Sequence, residues 1–222
     1  MYGYVKVGSA VPKLRVADCV YNKEEILKLV EAAAAKQVRV LSFPELSVTG
    51  YTCADLFFQT PLLHAAEQAI QEIAEATKAL NIFLLIGAPI AVDNQMFNCA
   101  VALYRGKLLG IVPKTHIPNY SEFYEERWFA SADDLLTEEI TYAGQNVPIG
   151  ADLIFAAADF PALKIGVEIC EDLWVPIPPS SYLSLYGATL LLNLSASNEL
   201  ASKPGYRRQL VSQQSARCLS AY

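Results

Sequence analysis

Histidine is nearly missing from this sequence: there are two in 222 residues, His64 and His116, so chemistry built on paired imidazoles has little to work with. Cysteine occurs five times, at positions 19, 53, 99, 170 and 218, but never as a Cys-x-x-Cys pair. That spacing excludes the common zinc frameworks, and the odd, scattered set fits a reduced, cytoplasmic chain better than a disulfide scaffold. No apolar run approaches the roughly 18–20 residues that a membrane-spanning helix needs. The first sixteen residues interrupt their apolar positions with Tyr, Lys and Arg instead of building a secretory leader. Basic clusters are lacking too: Lys and Arg number 17 against 23 Asp and Glu, a net charge of −6. Neither nucleic acid nor a membrane is therefore an expected partner. Gly-x-Gly-x-x-Gly, the Walker phosphate loop, Gly-x-Ser-x-Gly and His-Glu-x-x-His are all absent, which leaves nucleotide kinase, serine hydrolase and zinc protease readings without their motifs.

Apolar residues, by contrast, make up 53% of the chain, enough at this length for one substantial core in one domain. Residues 4–10 alternate as a strand does. Asn22 followed by Glu25 resembles a capping box that opens an Ala-rich helix to about Lys36, and residues 38–43 read as a buried strand. Pro61 suits the first turn of a helix running to Leu80, with a strand at 82–86 after it. Residues 97–104 and 107–112 flank Arg105-Gly106, a tight hairpin signal. Three further strands are predicted at 151–157, 164–169 and 189–194, a loop at 131–150, and a helix at 206–222 with no stop signal after it. This alternation predicts an α/β fold with a mixed sheet.

Three of the predicted strands end on reactive side chains, and open α/β sheets place ligands just beyond strand ends. Glu45 follows the 38–43 strand through Pro44, whose missing N–H ends the ladder; it is either a positioned base or a solvated turn glutamate. Lys114 leaves the 107–112 strand in the same way through Pro113, either as a surface lysine or as a buried one that needs a carboxylate. Cys170 ends the 164–169 strand and runs into the polar turn Glu171-Asp172, either as a small core residue or as a nucleophile at an elbow. A thiol nucleophile needs a base, yet His64 falls inside a predicted helix and His116 has no Asn or Asp signature around it for a papain-like pair. Asp133-Asp134 and Glu138-Glu139 lie in the predicted loop, where solvation is the default.

Taken together, Phe43-Pro44-Glu45, Pro113-Lys114-Thr115-His116 and Cys170-Glu171-Asp172-Leu173-Trp174 resemble, in order, the three signature blocks of the nitrilase or carbon–nitrogen hydrolase superfamily. Pro44 to Tyr51, Pro118-Asn119-Tyr120, Glu122 to Glu125 and Asn193 to Ser197 narrow the likeness to the glutaminase domains of glutamine-dependent NAD+ synthetases. The resemblance implies a nitrilase-like α-β-β-α sandwich with mixed sheets and a Glu45, Lys114, Cys170 triad. In it Cys170 attacks the glutamine carboxamide, Glu45 moves protons, and Lys114 with backbone N–H groups of the elbow stabilises the oxyanion. It further implies glutamine contacts at Tyr120, Ser197 and Lys203, with Arg207 as the rival to Lys203 for the substrate carboxylate. Glu171 and Tyr51 are implied neighbours, and Glu122 the second glutamate, with Glu125 as its rival.

The resemblance also implies that the domain is incomplete within residues 1–222. A synthetase domain that amidates deamido-NAD+ with ATP and Mg2+ would lie outside this chain, and this domain itself would need no cofactor. A homo-oligomer is expected. Two other readings stay open: a free-standing amidase or carbamoylase with the same triad, and a non-catalytic interaction domain with the same fold.

Overall fold

The structure, a computed structural model, describes residues 3–222. Apolar strands assemble into two larger sheets, with a separate two-stranded hairpin beside them. The first contains, in order, β1 (Val7–Ser9), β2 (Val40–Ser42), β3 (Phe83–Val92), β4 (Gln95–Tyr104) and β5 (Lys107–Pro113), with β1 to β3 parallel and β3 to β5 antiparallel. In the second, β9 (Lys164–Ile169) lies between β8 (Ile154–Ala156), antiparallel to it, and β10 (Leu190–Leu194), parallel to it.

The period-2 alternation of each strand sorts its side chains between two cores. Along β3, Leu84 and Ile86 pack with Ile26 and Val30 of α1 (Cys19–Ala35) and Ile70 and Ile73 of α2 (Thr60–Thr77). Phe83 and Leu85 point the other way, onto Ile165, Val167 and Ile169 of β9. Beyond the second sheet, Leu191 meets Leu183 of α3 (Pro179–Leu185) and Cys218 of α4 (Lys203–Cys218). The layers run helix, sheet, sheet, helix. Each fully buried Leu, Ile, Val or Phe contributes about 1.5–3 kcal/mol, so the doubly apolar strands β3 and β9 are what force the two sheets face to face.

Four expectations are corrected. Residues 131–150 are not all loop: β6 (Glu139–Tyr142) and β7 (Gln145–Pro148) form a hairpin turning at Ala143-Gly144, both at positive φ, with Tyr142 and Val147 buried. The helix α1 is capped by Asp18, which accepts the Tyr21 N–H at 3.0 Å. Asn22 is buried within that helix instead, where its amide holds the Arg15 backbone and the Val48 carbonyl. The strand expected at 82–86 continues to Val92 and turns back through Asp93-Asn94, two residues that tolerate the left-handed conformation found there. The last helix starts at Lys203, on Pro204 in its first turn, and ends at Cys218; Leu219 then takes a positive φ and Ala221 bridges to Leu190. Helix α3, begun by Pro178-Pro179, was not foreseen. Among the described residues no helix is long and apolar enough to cross a membrane.

Candidate active site

Glu45 is held by a turn that only one neighbour permits. Pro44 ends β2, Leu46 takes a φ of 51°, and the amides of Ser47, Thr49 and Gly50 bond back to the carbonyls of Pro44 and Leu46. This turn rests on β3 at Gly87, where a Cβ would lie 2.3 Å from the Leu46 nitrogen and 2.6 Å from the Pro44 oxygen. Any side chain there would push the turn, and Glu45 with it, off the sheet. Glu45 is 2% exposed and its side chain not at all. Its Oε1 accepts Asn98 Nδ2 and Lys114 Nζ, each at 2.7 Å, and its Oε2 accepts the Ala196 N–H at 2.9 Å.

Lys114 leaves β5 with its N–H on the Asn98 carbonyl, at 2.8 Å, and has no solvent exposure. Its ammonium reaches Glu45 and both oxygens of Glu125, at 2.9 and 2.8 Å. Glu125, 1% exposed, also accepts the Tyr51 hydroxyl at 2.7 Å. Burial opposes charge on Lys114, but the negative groups around it, Glu45 first, outweigh burial and raise its pKa above the ordinary lysine range. Burial raises Glu125, against the pull of Lys114. One cation thus sits between two buried carboxylates.

Cys170 opens a short 3-10 turn, Cys170–Trp174, at a φ of 47°. The turn is pinned by Asp172, whose Oδ2 accepts the Ile169 N–H at 2.9 Å and whose Oδ1 accepts the amides of His116, at 2.7 Å, and Thr115, at 3.2 Å. One side chain therefore ties the strand that ends at Cys170 to the segment that carries Lys114. Burial, then the charge of Glu45, pushes the Cys170 thiol up to about 12, while Lys114 and the Ser195 side chain pull it down. The charged groups that act on the thiol are thus a carboxylate and an ammonium, groups able to move a proton locally and to polarise a carbonyl.

A carbon–nitrogen hydrolase family model matches residues 7–221. The chain belongs to the carbon–nitrogen hydrolase family. Within it, the chain is 40% identical over 220 residues to a glutamine-dependent NAD(+) synthetase of Mycobacterium leprae, covering 99% of this chain and 32% of that protein. It is 38% identical to the Mycobacterium tuberculosis protein of the same name, covering 100% and 32%. The chain therefore spans about a third of the length of these curated relatives. A crystal structure of a glutamine-dependent NAD(+) synthetase from Cytophaga hutchinsonii superposes with a TM-score of 0.85 at 30% identity, covering 97% of this chain and 34% of that one. An amidase from Nesterenkonia sp. shares the fold, with a TM-score of 0.76 at 17% identity.

Around this carbon–nitrogen hydrolase centre the other expected residues fall into three groups. Tyr51 belongs to the buried network through Glu125. Tyr120 is half exposed and donates to Glu171 Oε1 at 2.9 Å; the pair borders a cleft of about 1180 Å3 that also passes Thr115 and His116 but is not lined by Glu45, Lys114 or Cys170. Lys203 donates to Asn198 and sits 5.1 Å from the Trp174 ring and 5.8 Å from that of Phe123. Arg207 braces the preceding loop, with Nη2 on Ser197 Oγ at 3.3 Å and on the Asn198 carbonyl at 3.0 Å. The expectation for Glu122 is corrected: it is exposed, whereas Glu125 lies on Lys114, because the turn at Glu125 is anchored by its N–H on the Pro118 carbonyl and faces inward. His64 is exposed on α2 and His116 contributes its backbone amide to Asp172.

Gly87 and Asn98 are missing from the sequence reading, and Asn193 and Ala196 enter it only as part of the Asn193–Ser197 block, without a role. Asn98 and Asn193 are each a lone polar residue in an apolar strand, and such a residue must find a partner. Gly87 and Ala196 carry no comparable signal, because what they do lies in backbone approach and a backbone amide.

Proposed function

We propose that this chain is a glutamine amidohydrolase domain in which Cys170 is the nucleophile, Glu45 the proton carrier and Lys114 an oxyanion donor. The observation that carries the proposal is the buried ammonium of Lys114 bonded to Glu45 and Glu125, in a centre where the Cys170 thiol at the end of the neighbouring sheet's strand is buried too. The Cys170 sulfur bonds to the carboxamide carbon as its proton passes to Glu45. Negative charge grows on the amide oxygen, where Lys114 Nζ and the Glu171 amide stabilise it. Glu45 then protonates the nitrogen, the C–N bond breaks, and ammonia leaves a thioester on Cys170. Water attacks the thioester as Glu45 takes its proton; glutamate departs and the thiol regains its hydrogen. Glu125 compensates Lys114 throughout, so the ammonium need not surrender its proton.

Glutamine is favoured over other amides by the similarity to glutamine-dependent NAD(+) synthetases along nearly the whole chain. Tyr120, Glu171, Ser197 and Lys203 are the proposed contacts for its polar end. Lys203 suits the α-carboxylate better than Arg207, which already braces the loop through Ser197, Asn198 and Glu199. In the protein that contains this chain, ammonia passes to a synthetase domain that amidates deamido-NAD+ using ATP and Mg2+. Five free cysteines suit a reducing, cytoplasmic setting, and the exposed Tyr182, Leu185 and Tyr186 of the α3 region suit association with another subunit.

The test is treatment of the intact protein with a diazo-ketone or chloro-ketone analogue of glutamine, read by intact mass and peptide mapping. One adduct, on Cys170 and blocked by glutamine, is expected, together with ammonia release from glutamine. Steady ammonia release from Cys170→Ala would sink the assignment.

A further inference from the structure

A residue with a side chain rarely adopts the left-handed backbone that Cys170 occupies at φ 47°. Such a conformation persists only where its surroundings enforce it. Most of the elbow's constraints act on residues around the cysteine: Asp172 takes the amides of Ile169, Thr115 and His116. The cysteine's own peptide groups go elsewhere. Its N–H donates to Asn193 Oδ1 at 3.0 Å, and its carbonyl accepts Asn193 Nδ2 at 3.4 Å. A single side-chain amide thus holds both polar backbone groups of the residue that carries the thiol.

Asn193 is well placed to do so. It stands on β10, parallel to β9, in register with Glu168, so its side chain reaches past the end of the ladder to the first residue after Ile169. Leu191 and Leu194 on either side are buried, which fixes the strand. The register partner of Asn193, Glu168, is buried in turn and accepts the Ser180 N–H at 2.8 Å and the Tyr222 hydroxyl.

We propose that Asn193 is a positioning residue that clamps the Cys170 peptide in its left-handed conformation. The clamp keeps the thiol against Glu45 and Lys114 and commits the Cys170 N–H, leaving the next amide, that of Glu171, for the oxyanion. The proposal rests on Cys170 being the nucleophile of the reaction above.

The test compares wild type, Asn193→Ala and Asn193→Asp in the intact protein, each checked for folding by thermal denaturation. Asp keeps an acceptor for the Cys170 N–H; Ala keeps nothing. Ala is expected to lower kcat for ammonia release from glutamine about 100-fold, the scale of a small misplacement of a reacting group, with KM within about threefold. Asp is expected to retain kcat within about tenfold of wild type, since it restores the stronger of the two bonds. In the folded Ala variant, iodoacetamide should label Cys170 at pH 8 faster than in wild type, because the released thiol leaves its buried setting. A kcat for Ala within twofold of wild type, a loss confined to KM, or a folded Asp variant as impaired as Ala would each overturn the clamp. Should Ala fail to fold, a folded Asp variant reduced 100-fold or more overturns it as well. If wild type releases no ammonia from glutamine, the glutamine reading fails, while the labelling rates still decide whether Asn193 holds Cys170.

Discussion

At Lys114 a positive charge is buried with no solvent exposure, and the two carboxylates that accompany it make that tolerable. Removing one member of such a buried set leaves an uncompensated charge, at a cost of about 3–5 kcal/mol. Lys114→Met is expected to lose stability on that scale in urea denaturation, because Glu45 and Glu125 then face each other alone. Adding Glu125→Gln to that variant should recover part of the loss; a double variant less stable than the single would show that the pair does not share the charge. The thiol carries a pH signature. With Cys170 pushed up to about 12, the thiolate fraction keeps growing through the range where an ordinary cysteine has already ionised. Labelling of Cys170 by iodoacetamide should therefore rise about tenfold per pH unit from pH 7 to 10 with no plateau. A plateau by pH 9 would mean that burial and Glu45 do not govern the thiol.

The elements that deliver these side chains are short turns leaning on strands. Gly87→Ala drives a methyl group into the Pro44–Leu46 backbone, and overpacking of this kind costs about 1–3 kcal/mol. A lowered melting temperature is expected together with a loss of kcat exceeding what reduced folding explains, because the displaced turn carries Glu45. At the other elbow, burial lifts Asp172 to about 7 from an ordinary 3.8, against the amides of Ile169 and His116. The folded protein therefore binds this proton more tightly than the unfolded chain does. Its contribution to stability is complete below about pH 4 and is lost as pH rises toward 7. Thermal midpoints of wild type minus Asp172→Asn should fall across that window; a constant difference would refute the assignment. Both elbows were partly legible in the sequence, since Pro44 and Pro113 end strands visibly and Glu171-Asp172 breaks an apolar run. The hairpin of β6 and β7 was not, because it buries few side chains and its turn, Ala143-Gly144, carries only one glycine.

At the scale of the whole molecule, the proposed function puts the release of ammonia in this sandwich and its use in a separate domain. In the intact protein, Cys170→Ala is expected to abolish glutamine-supported NAD+ formation while free ammonium salts still support it; loss of both would refute a separate acceptor site. The sequence by itself determined the α/β class, the strand ends that carry Glu45, Lys114 and Cys170, and the family likeness, because strand periodicity, proline punctuation and short motifs are local properties of the chain. Only the tertiary structure decided that Glu125 and not Glu122 shares Lys114, that Gly87 makes room for the Glu45 turn, and that Asn98 and Ala196 bond to Glu45 and Asn193 to the Cys170 backbone. Those contacts join residues between 11 and 151 positions apart, and long-range pairing of this kind leaves its mark in the packing of the two sheets and not in any stretch of sequence.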